Sequence, residues 1–211
     1  MLILSHFTAQ ISDVYLYRNL SLDVDKPSII HLKGTNGAGK STLLRQIAQL
    51  IPQHGAQSYW DHKPLDAYEQ VTYIGHQLGL PCHWSVEQTL SFYQDCYYSY
   101  SEDVGLLLQS WQLNTSMHTR VDHLSRGMQQ KLTLIRLSMA DRPLLLLDEP
   151  GTALDSNGLE QLVHQLHYHK KRGGVVLLTA HQAYQGLCVD HVIELEQFAA
   201  PSGMSNEVMW L

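Results

Sequence analysis

G-T-N-G-A-G-K-S-T, residues 34–42, is the stretch that decides the fold of this chain. An apolar run precedes it at residues 29–32, and apolar residues at helical spacing follow it at positions 43, 44, 47 and 48. A strand, a glycine-rich loop and a helix in this order make a P-loop, whose backbone N–H groups and helix N-terminus attract phosphate. We therefore expect the whole stretch to bind a nucleoside triphosphate: Gly34, Thr35, Asn36, Gly37, Ala38, Gly39, Lys40, Ser41 and Thr42. Within it, the Lys40 ammonium can reach the β- and γ-phosphates, and the Ser41 hydroxyl can ligate Mg²⁺.

Composition narrows the class of protein. The 211 residues are 44% hydrophobic and carry a formal net charge of −6, which fits one soluble domain or two tightly joined subdomains. The acidic excess argues against a nucleic-acid scaffold. No apolar run approaches the ~20 residues of a transmembrane helix, and we see no leader typical of a signal peptide. The scattered cysteines, Cys82, Cys96 and Cys188, suit a reducing cytosol.

Strand signals dominate the N-terminal part of the chain. Residues 2–33 are β-rich, and Leu20, Leu22 and Val24 alternate with polar residues as in a half-buried strand. We expect a polar turn at residues 57–60 and a short hairpin around residues 63–65. A further strand at residues 71–75 delivers Gln77 at its end.

Helix signals replace strand signals from about residue 78 to residue 130, which predicts an inserted helical subdomain. Ser85 and Gln88 form a capping-box pattern, and Ser101 is the expected cap of a second helix. A third helix opens within residues 124–131 and runs to about residue 139.

Two adjacent carboxylates give the second chemical signal. The apolar strand predicted at residues 144–147 ends in Asp148, Glu149 and Pro150. Buried carboxylates are expensive unless they hold a metal or move a proton, so this pair indicates chemistry beside the P-loop. Further along, Ser156 is expected to cap a helix that ends near residue 171. Strands are predicted at residues 175–178 and 189–195, and residues after 197 show no clear pattern.

The sequence contains five separated motifs. They are the P-loop, Gln77, L-S-R-G-M (residues 124–128), L-L-L-L-D-E with A-L-D (residues 144–149 and 153–155), and His181. In this order they resemble the ATP-binding-cassette (ABC) ATPases over nearly the whole chain. The resemblance implies an α/β P-loop cassette with a mixed or parallel core sheet, an N-terminal antiparallel β subdomain and the inserted helical subdomain. Residues 1–77 and 131–211 would form the core with the β subdomain, and residues 78–130 the helical subdomain.

The same resemblance implies ATP and Mg²⁺ as cofactors and a head-to-tail homodimer. Each ATP would lie between the P-loop of one subunit and the signature helix of the other. Ser125 and Gly127 would face the γ-phosphate, because they stand where a helix N-terminus begins.

Single roles also follow from the resemblance. Glu149 would be the general base for the attacking water, and Asp148 would hold Mg²⁺. Gln77 would touch Mg²⁺ or that water. His181 would hydrogen-bond the γ-phosphate and the Glu149 region, and Asp155 would order the dimer seam.

The chain departs from the family pattern at two places. The signature usually reads L-S-G-G-Q, whereas Arg126 and Met128 stand here in place of Gly and Gln. The position that usually carries an adenine-stacking aromatic falls near residues 10–11, which are Gln and Ile. Tyr15 and Tyr17 are the candidate substitutes.

Two local strings resemble one branch of the family. I-G-H-Q-L-G-L (residues 74–80) and G-G-V-V-L-L-T-A-H-Q (residues 173–182) are similar to the ATPase subunits of cytochrome c maturation systems. This implies integral membrane partner subunits and a peripheral location at the cytoplasmic face of the bacterial inner membrane. We expect the membrane partner to dock on the helical subdomain, because that subdomain lies between Gln77 and the signature. We expect no direct haem binding, because no C-x-x-C-H occurs and the cluster His164, His167 and His169 fits a solvated helix face.

Other functions remain open at this point. One is the ATPase subunit of another small exporter of lipid, peptide or drug. A non-transport cassette acting in DNA repair or on ribosomes is disfavoured, since the chain has neither a long coiled-coil insertion nor a second cassette. A P-loop kinase would not explain residues 124–129.

Overall fold

The computed structural model describes residues 1–53, 55–97 and 103–199. Within these ranges the strands are β1 (Leu2–Ile11), β2 (Val14–Val24), β3 (Ile29–Lys33), β4 (Gln57–Trp60), β5 (Lys63–Pro64), β6 (Val71–Ile74), β7 (Leu144–Asp148), β8 (Val175–Thr179) and β9 (His191–Glu194). The α-helices are α1 (Lys40–Ile47), α2 (Ala67–Gln70), α3 (Val86–Cys96), α4 (Val104–Ser110), α5 (Arg126–Ala140) and α6 (Ser156–Lys171). Single 3₁₀ turns lie at Asn114–Ser116, Val121–His123 and Leu195–Phe198.

The strands form two sheets. An antiparallel sheet has the order β2-β1-β4-β5, and a five-stranded sheet has the order β6-β7-β8-β3-β9. Every described pairing in the second sheet is parallel, so the core sheet is parallel rather than mixed. The first four residues of β7 and of β8 are apolar and buried, because both faces of the sheet are covered.

Alternate side chains of β7 show how the layers are stacked. Leu145 and Leu147 lie in a core with α3, α5 and α6, whereas Leu144 and Leu146 lie in a second core with α1 and the antiparallel sheet. Each face of the parallel sheet therefore has its own hydrophobic core. Trp111, which follows α4, is buried in the first of them. The division into core and helical subdomains stays a prediction.

The structure confirms the capping box of α3, in which the Ser85 hydroxyl accepts the N–H of Gln88 and the Gln88 side chain accepts the N–H of Ser85. It also confirms a helix opening at the signature. No helix in the described ranges is both long enough and apolar enough to cross a bilayer.

Three local expectations were wrong. Residues 57–60 form strand β4 rather than a turn, because pairing with β1 buries Ser58 and Trp60 on alternate positions. Asp155, not Ser156, caps α6, since its carboxylate accepts the N–H of Gly158 at 2.8 Å. The last strand, β9, is shorter than residues 189–195.

The cap expected at Ser101 lies outside the described residues. The described N-cap of α4 is Asp103, whose carboxylate accepts the N–H of Gly105 at 2.7 Å. A short polar side chain at this position satisfies a backbone donor that the helix leaves unpaired.

Candidate functional site

Four of the sequence-predicted parts of the site lie at one edge of the parallel sheet. Gln77 follows β6, Asp148 ends β7, His181 follows β8, and the P-loop follows β3. These four strands are consecutive neighbours in the sheet, and parallel strands have their carboxyl ends at the same edge. Crevices at that edge are the usual ligand sites of open α/β sheets.

The P-loop backbone has the conformation that its glycines permit. Gly37 and Gly39 have φ of +87° and +97°, and Gly39 forms the left-handed N-cap of α1. A Cβ on Gly39 would lie 2.9 Å from the Tyr17 ring, so this position has both a backbone and a packing reason to be glycine. The N-terminus of α1 therefore opens directly into the loop.

Lys40 adds the charge that a phosphate site needs. Its Nζ donates to the carbonyl oxygens of Gly34 and Thr35 at 2.7 and 3.0 Å. The ammonium thus lies over the loop, close to the helix N-terminus. The combination creates a positive field suited to a polyphosphate.

A threonine hydroxyl links the two carboxylate residues. Thr179 at the end of β8 donates to Asp148 Oδ1 at 2.9 Å and accepts the N–H of Glu149 at 2.9 Å. Asp148 is 5% exposed and Thr179 is fully buried. Glu149 has φ of +53°, a conformation that costs on the order of 1–3 kcal/mol for a residue with a side chain. The Thr179 hydrogen bonds and the left-handed backbone of Glu149 together place the two carboxylates in different surroundings. The Asp148 carboxylate is buried, and the Glu149 carboxylate is partly exposed.

Glu149 pairs with His181. Their Oε1 and Nε2 atoms lie 3.0 Å apart, and the side chains are 25% and 62% exposed. Both groups can therefore reach a molecule bound at the sheet edge. The loop that carries His181 is held from below by His31, whose Nε2 lies 3.2 Å from the Ala180 carbonyl oxygen. Burial lowers the pKa of His31, which favours the neutral imidazole.

Ser125, Gly127 and Asp155 form a second cluster. The Ser125 hydroxyl caps α5 by accepting the N–H of Met128 at 3.2 Å. A Cβ on Gly127 would lie 2.6 Å from the Ala153 carbonyl oxygen, so the signature helix packs on the A-L-D loop of its own chain. Asp155 holds that loop through an ion pair of 3.0 Å with Lys131, and the Lys131 hydrogen bond lowers the pKa of Asp155.

The unusual Arg126 of the signature has a defined contact. Its guanidinium donates to the His76 carbonyl oxygen at 2.9 Å, next to Gln77. Gln77 itself is exposed. The substitution for glycine thus ties the signature to the loop after β6.

The structure distinguishes between Tyr15 and Tyr17, the two candidates for the aromatic ring that stacks on adenine. Tyr17 is buried, and its hydroxyl donates to Gln46 Oε1 at 2.7 Å, so its ring belongs to the core. Tyr15 lines a cavity of about 690 Å³ together with Gln10, Ser12 and Thr42. The Arg18 guanidinium lies 4.4 Å from the Tyr15 ring centroid. Tyr15 is therefore the ring next to the P-loop that a base could reach.

Sequence reasoning missed several supporting residues. The predicted strand at residues 175–178 stops short of Thr179, although a hydroxyl that directly follows a fully apolar strand is itself a signal. The Tyr184 hydroxyl accepts the N–H of Gly151 at 2.9 Å, and Glu196 accepts the N–H of Thr35. Neither of these contacts has a local sequence signature.

A comparison with models of known protein families assigns this chain to a family. Residues 17–152 match the family model described as ABC transporter. That span includes the P-loop, Gln77, the signature and both strand-terminal carboxylates. The chain belongs to the ABC transporter family, as the order of its motifs predicted.

Within this family, one relative is similar to the chain over most of both sequences. The cytochrome c biogenesis ATP-binding export protein CcmA of Haemophilus influenzae is 32% identical over an alignment of 193 residues, which covers 85% of this chain and 88% of that protein. Among solved structures, the ATP-binding subunit of an ABC transporter has a TM-score of 0.77 at 24% identity, covering 86% of this chain and 79% of that one. A dimeric bacterial ABC transporter cassette has a TM-score of 0.73 at 21% identity, covering 86% and 88%. These likenesses confirm the α/β cassette fold.

Proposed function

We propose that this chain is the ATP-hydrolysing subunit of an ABC transporter that serves cytochrome c maturation. The observation that carries the proposal is the Glu149–His181 pair, whose side chains lie 3.0 Å apart after the ends of the adjacent strands β7 and β8. Strand β8 is the neighbour of β3, which leads into the P-loop. The name of the Haemophilus relative supports the cytochrome c assignment. The work driven by ATP would be export of haem or release of a haem-loaded chaperone.

Nucleotide binding would follow from the P-loop geometry. The triphosphate lies against the loop N–H groups and the N-terminus of α1, and the Lys40 ammonium exchanges its carbonyl contacts for phosphate oxygens. Tyr15 is the candidate platform for the base. Its cavity borders Thr42, the last residue of the P-loop motif.

Mg²⁺ fits the donors that are present. The Asp148 carboxylate is buried, and Thr179 donates to only one of its two oxygens; Ser41 adds a hydroxyl and Gln77 an amide oxygen. Mg²⁺ prefers such oxygen donors and shares its remaining positions with phosphates and water. When bound, the ion neutralises charge on the β- and γ-phosphate oxygens.

Glu149 would accept the proton of the attacking water. Its carboxylate is partly exposed at the sheet edge, whereas Asp148 beside it is buried. The His181 ring fixes the orientation of that carboxylate and is exposed enough to reach a γ-phosphate. General-base and positioning functions are thus divided between two side chains from neighbouring strands.

The Thr179 hydroxyl should matter for both stability and turnover. Thr179→Val keeps the shape but leaves the Glu149 N–H and one Asp148 oxygen unpaired in a buried place, so we expect the free energy of unfolding to fall by about 1–3 kcal/mol. We also expect kcat for ATP to fall by about 10- to 100-fold, since small displacements of catalytic groups are costly. Denaturant unfolding and phosphate release measure the two effects. Thr179→Ser, which retains the hydroxyl, should stay close to the unmodified chain; equal losses in both variants would contradict the role of the hydroxyl.

We further propose a head-to-tail dimer around two ATP molecules. Ser125 is exposed at the N-terminus of α5, where a phosphate from a second copy can approach. Gly127 and Asp155 keep the helix and the A-L-D loop together through the contacts described above. The dimeric cassette among the fold neighbours supports this arrangement.

Membrane subunits are the proposed partners of the helical region. Trp84 and Phe92 are 40% and 47% exposed, and their rings meet edge to face with centroids 5.5 Å apart. Exposed aromatic pairs are typical of interaction surfaces. This surface lies between Gln77 and the signature in the chain, so a partner bound there can sense nucleotide. We propose a peripheral location at the cytoplasmic face of the bacterial inner membrane, without nucleic acid or direct haem binding.

A cell assay tests the cytochrome c assignment. We expect a bacterium whose own cytochrome c maturation ATPase is replaced by this chain to make c-type cytochromes, and to lose them with Lys40→Ala. The b-type cytochromes should remain, because haem synthesis does not need this step. Haem staining of membrane proteins measures the first class and difference spectra the second.

A matched control is available in Lys26→Ala, which removes an exposed lysine outside the P-loop and should leave c-type cytochromes normal. Normal c-type cytochromes in the Lys40→Ala strain, with ATP turnover lost, would move the chain to the class of other small exporters.

A further inference from the structure

The C-terminal 3₁₀ turn Leu195–Phe198 brings a carboxylate onto the P-loop. Glu196 Oε1 accepts the N–H of Thr35 at 2.5 Å. A Cβ added to Gly34 would lie 3.4 Å from each Glu196 carboxylate oxygen. The carboxylate therefore packs against the first two residues of the phosphate-binding loop, although the two segments are 161 residues apart.

The surrounding structure holds Glu196 in this place. Strand β9 pairs with β3 so that Glu194 is opposite Lys33, and the next residues of the two strands are Leu195 and Gly34. Leu195 is fully buried in the core beneath the antiparallel sheet. Register and burial thus fix the turn, and the Glu196 side chain has only a short distance to span. Hydrogen bonding to Thr35 lowers the pKa of Glu196, so the acceptor is a carboxylate at neutral pH.

Lys40 and Glu196 both hydrogen-bond to the backbone at the start of the P-loop. Lys40 donates to the carbonyl oxygens of Gly34 and Thr35, while Glu196 accepts the N–H of Thr35. These two contacts differ in what a nucleotide does to them. In the proposed complex with ATP, phosphate would draw the Lys40 ammonium away from the carbonyl oxygens, whereas the Thr35 N–H bond to Glu196 would persist.

We propose that Glu196 is a positioning residue for ATP binding, which keeps Gly34 and Thr35 in the phosphate-binding conformation when Lys40 turns to the phosphates. The inference rests on the proposed ATPase function. Glu196 acts through the loop backbone and not on the reacting atoms. Its loss should therefore weaken ATP binding and raise KM while leaving kcat at saturating ATP unchanged.

Two substitutions separate the hydrogen bond from the charge. Glu196→Ala removes the acceptor, and we expect the Kd for a fluorescent ATP analogue and the KM for ATP to rise about tenfold, the scale of one charge-assisted hydrogen bond. Glu196→Gln keeps a carbonyl oxygen that can accept the N–H of Thr35, so both constants should stay within about threefold of the unmodified chain. Glu194→Ala removes an equal charge from an exposed position two residues earlier and should change neither constant.

Several outcomes would overturn the inference. Unchanged Kd in Glu196→Ala would remove the positioning role, and equal weakening in Glu196→Gln would assign the effect to charge. Tighter binding in both variants would mean that the carboxylate opposes phosphate. A fall in kcat without a rise in KM would place Glu196 elsewhere in the cycle. Failure of the unmodified chain to bind or hydrolyse ATP would instead contradict the proposed function, so the two failures are distinguishable.

Discussion

Glu149→Gln should reduce ATP turnover by about 10²–10⁴-fold, the usual contribution of a general base, while ATP binding stays intact. The amide has the size of the carboxylate and still offers an oxygen to His181, but it cannot take a proton from water. The left-handed backbone at residue 149 is unaffected by the change. Phosphate release under saturating ATP measures turnover, and titration with a fluorescent ATP analogue measures binding.

Glu160→Gln is the matched control for this experiment. Glu160 is exposed on α6, so the same chemical change there should leave turnover and binding as they were. If Glu149→Gln kept turnover within a few-fold of the unmodified chain, Glu149 would lose its assignment as the base. His181 and Gln77 would then become the candidates to test.

Lys40→Ala is expected to affect binding itself. The substitution removes an ammonium that would make charge-assisted hydrogen bonds to phosphate, each commonly about 1.5–3 kcal/mol. The Kd for ATP should therefore rise by about 10- to 100-fold or more. The fluorescent-ATP titration measures the change.

The Lys26→Ala variant serves again as the control, since it lowers the net charge equally without touching the loop. A Kd within about twofold of the unmodified chain for Lys40→Ala would show that the loop N–H groups and the helix N-terminus bind phosphate without the lysine.

The parts of the site that could be predicted are those encoded in short segments. Glycines that must adopt positive φ, a lysine and a hydroxyl in nine consecutive residues define the P-loop before any contact is known. An apolar strand that ends in Asp148 and Glu149 is equally local. Such segments carry their own backbone and burial signals.

Long-range contacts could not be predicted in the same way. Residues 57–60 look like a polar turn until β1 pairs with them. Tyr15 and Tyr17 are distinguished by a register shift between them in the pairing of β2 with β1, and it is Tyr17 that meets Gln46 of α1. Glu196 reaches Thr35 only because β9 is hydrogen-bonded beside β3. In each case the sheet register decides, and register is a property of the folded chain.

The Glu149–His181 contact could be predicted only in part. The family resemblance supplied the role of His181, because a histidine after a strand is not by itself a catalytic signal. The structure adds that the two residues follow adjacent parallel strands and meet at 3.0 Å. Thr179, at the end of β8, also hydrogen-bonds to Asp148 and Glu149 at the end of β7 and so holds the two strand ends together.

The most direct test of the central proposal, that two copies share ATP in a head-to-tail dimer, is the molar mass of Glu149→Gln by light scattering on a sizing column with Mg²⁺ and ATP. We predict a species of about twice the 24.0 kDa chain mass carrying two ATP molecules, and a return to the single-chain mass when ATP is omitted or Lys40→Ala is added to the variant. A single-chain mass with ATP fully bound would contradict the shared site.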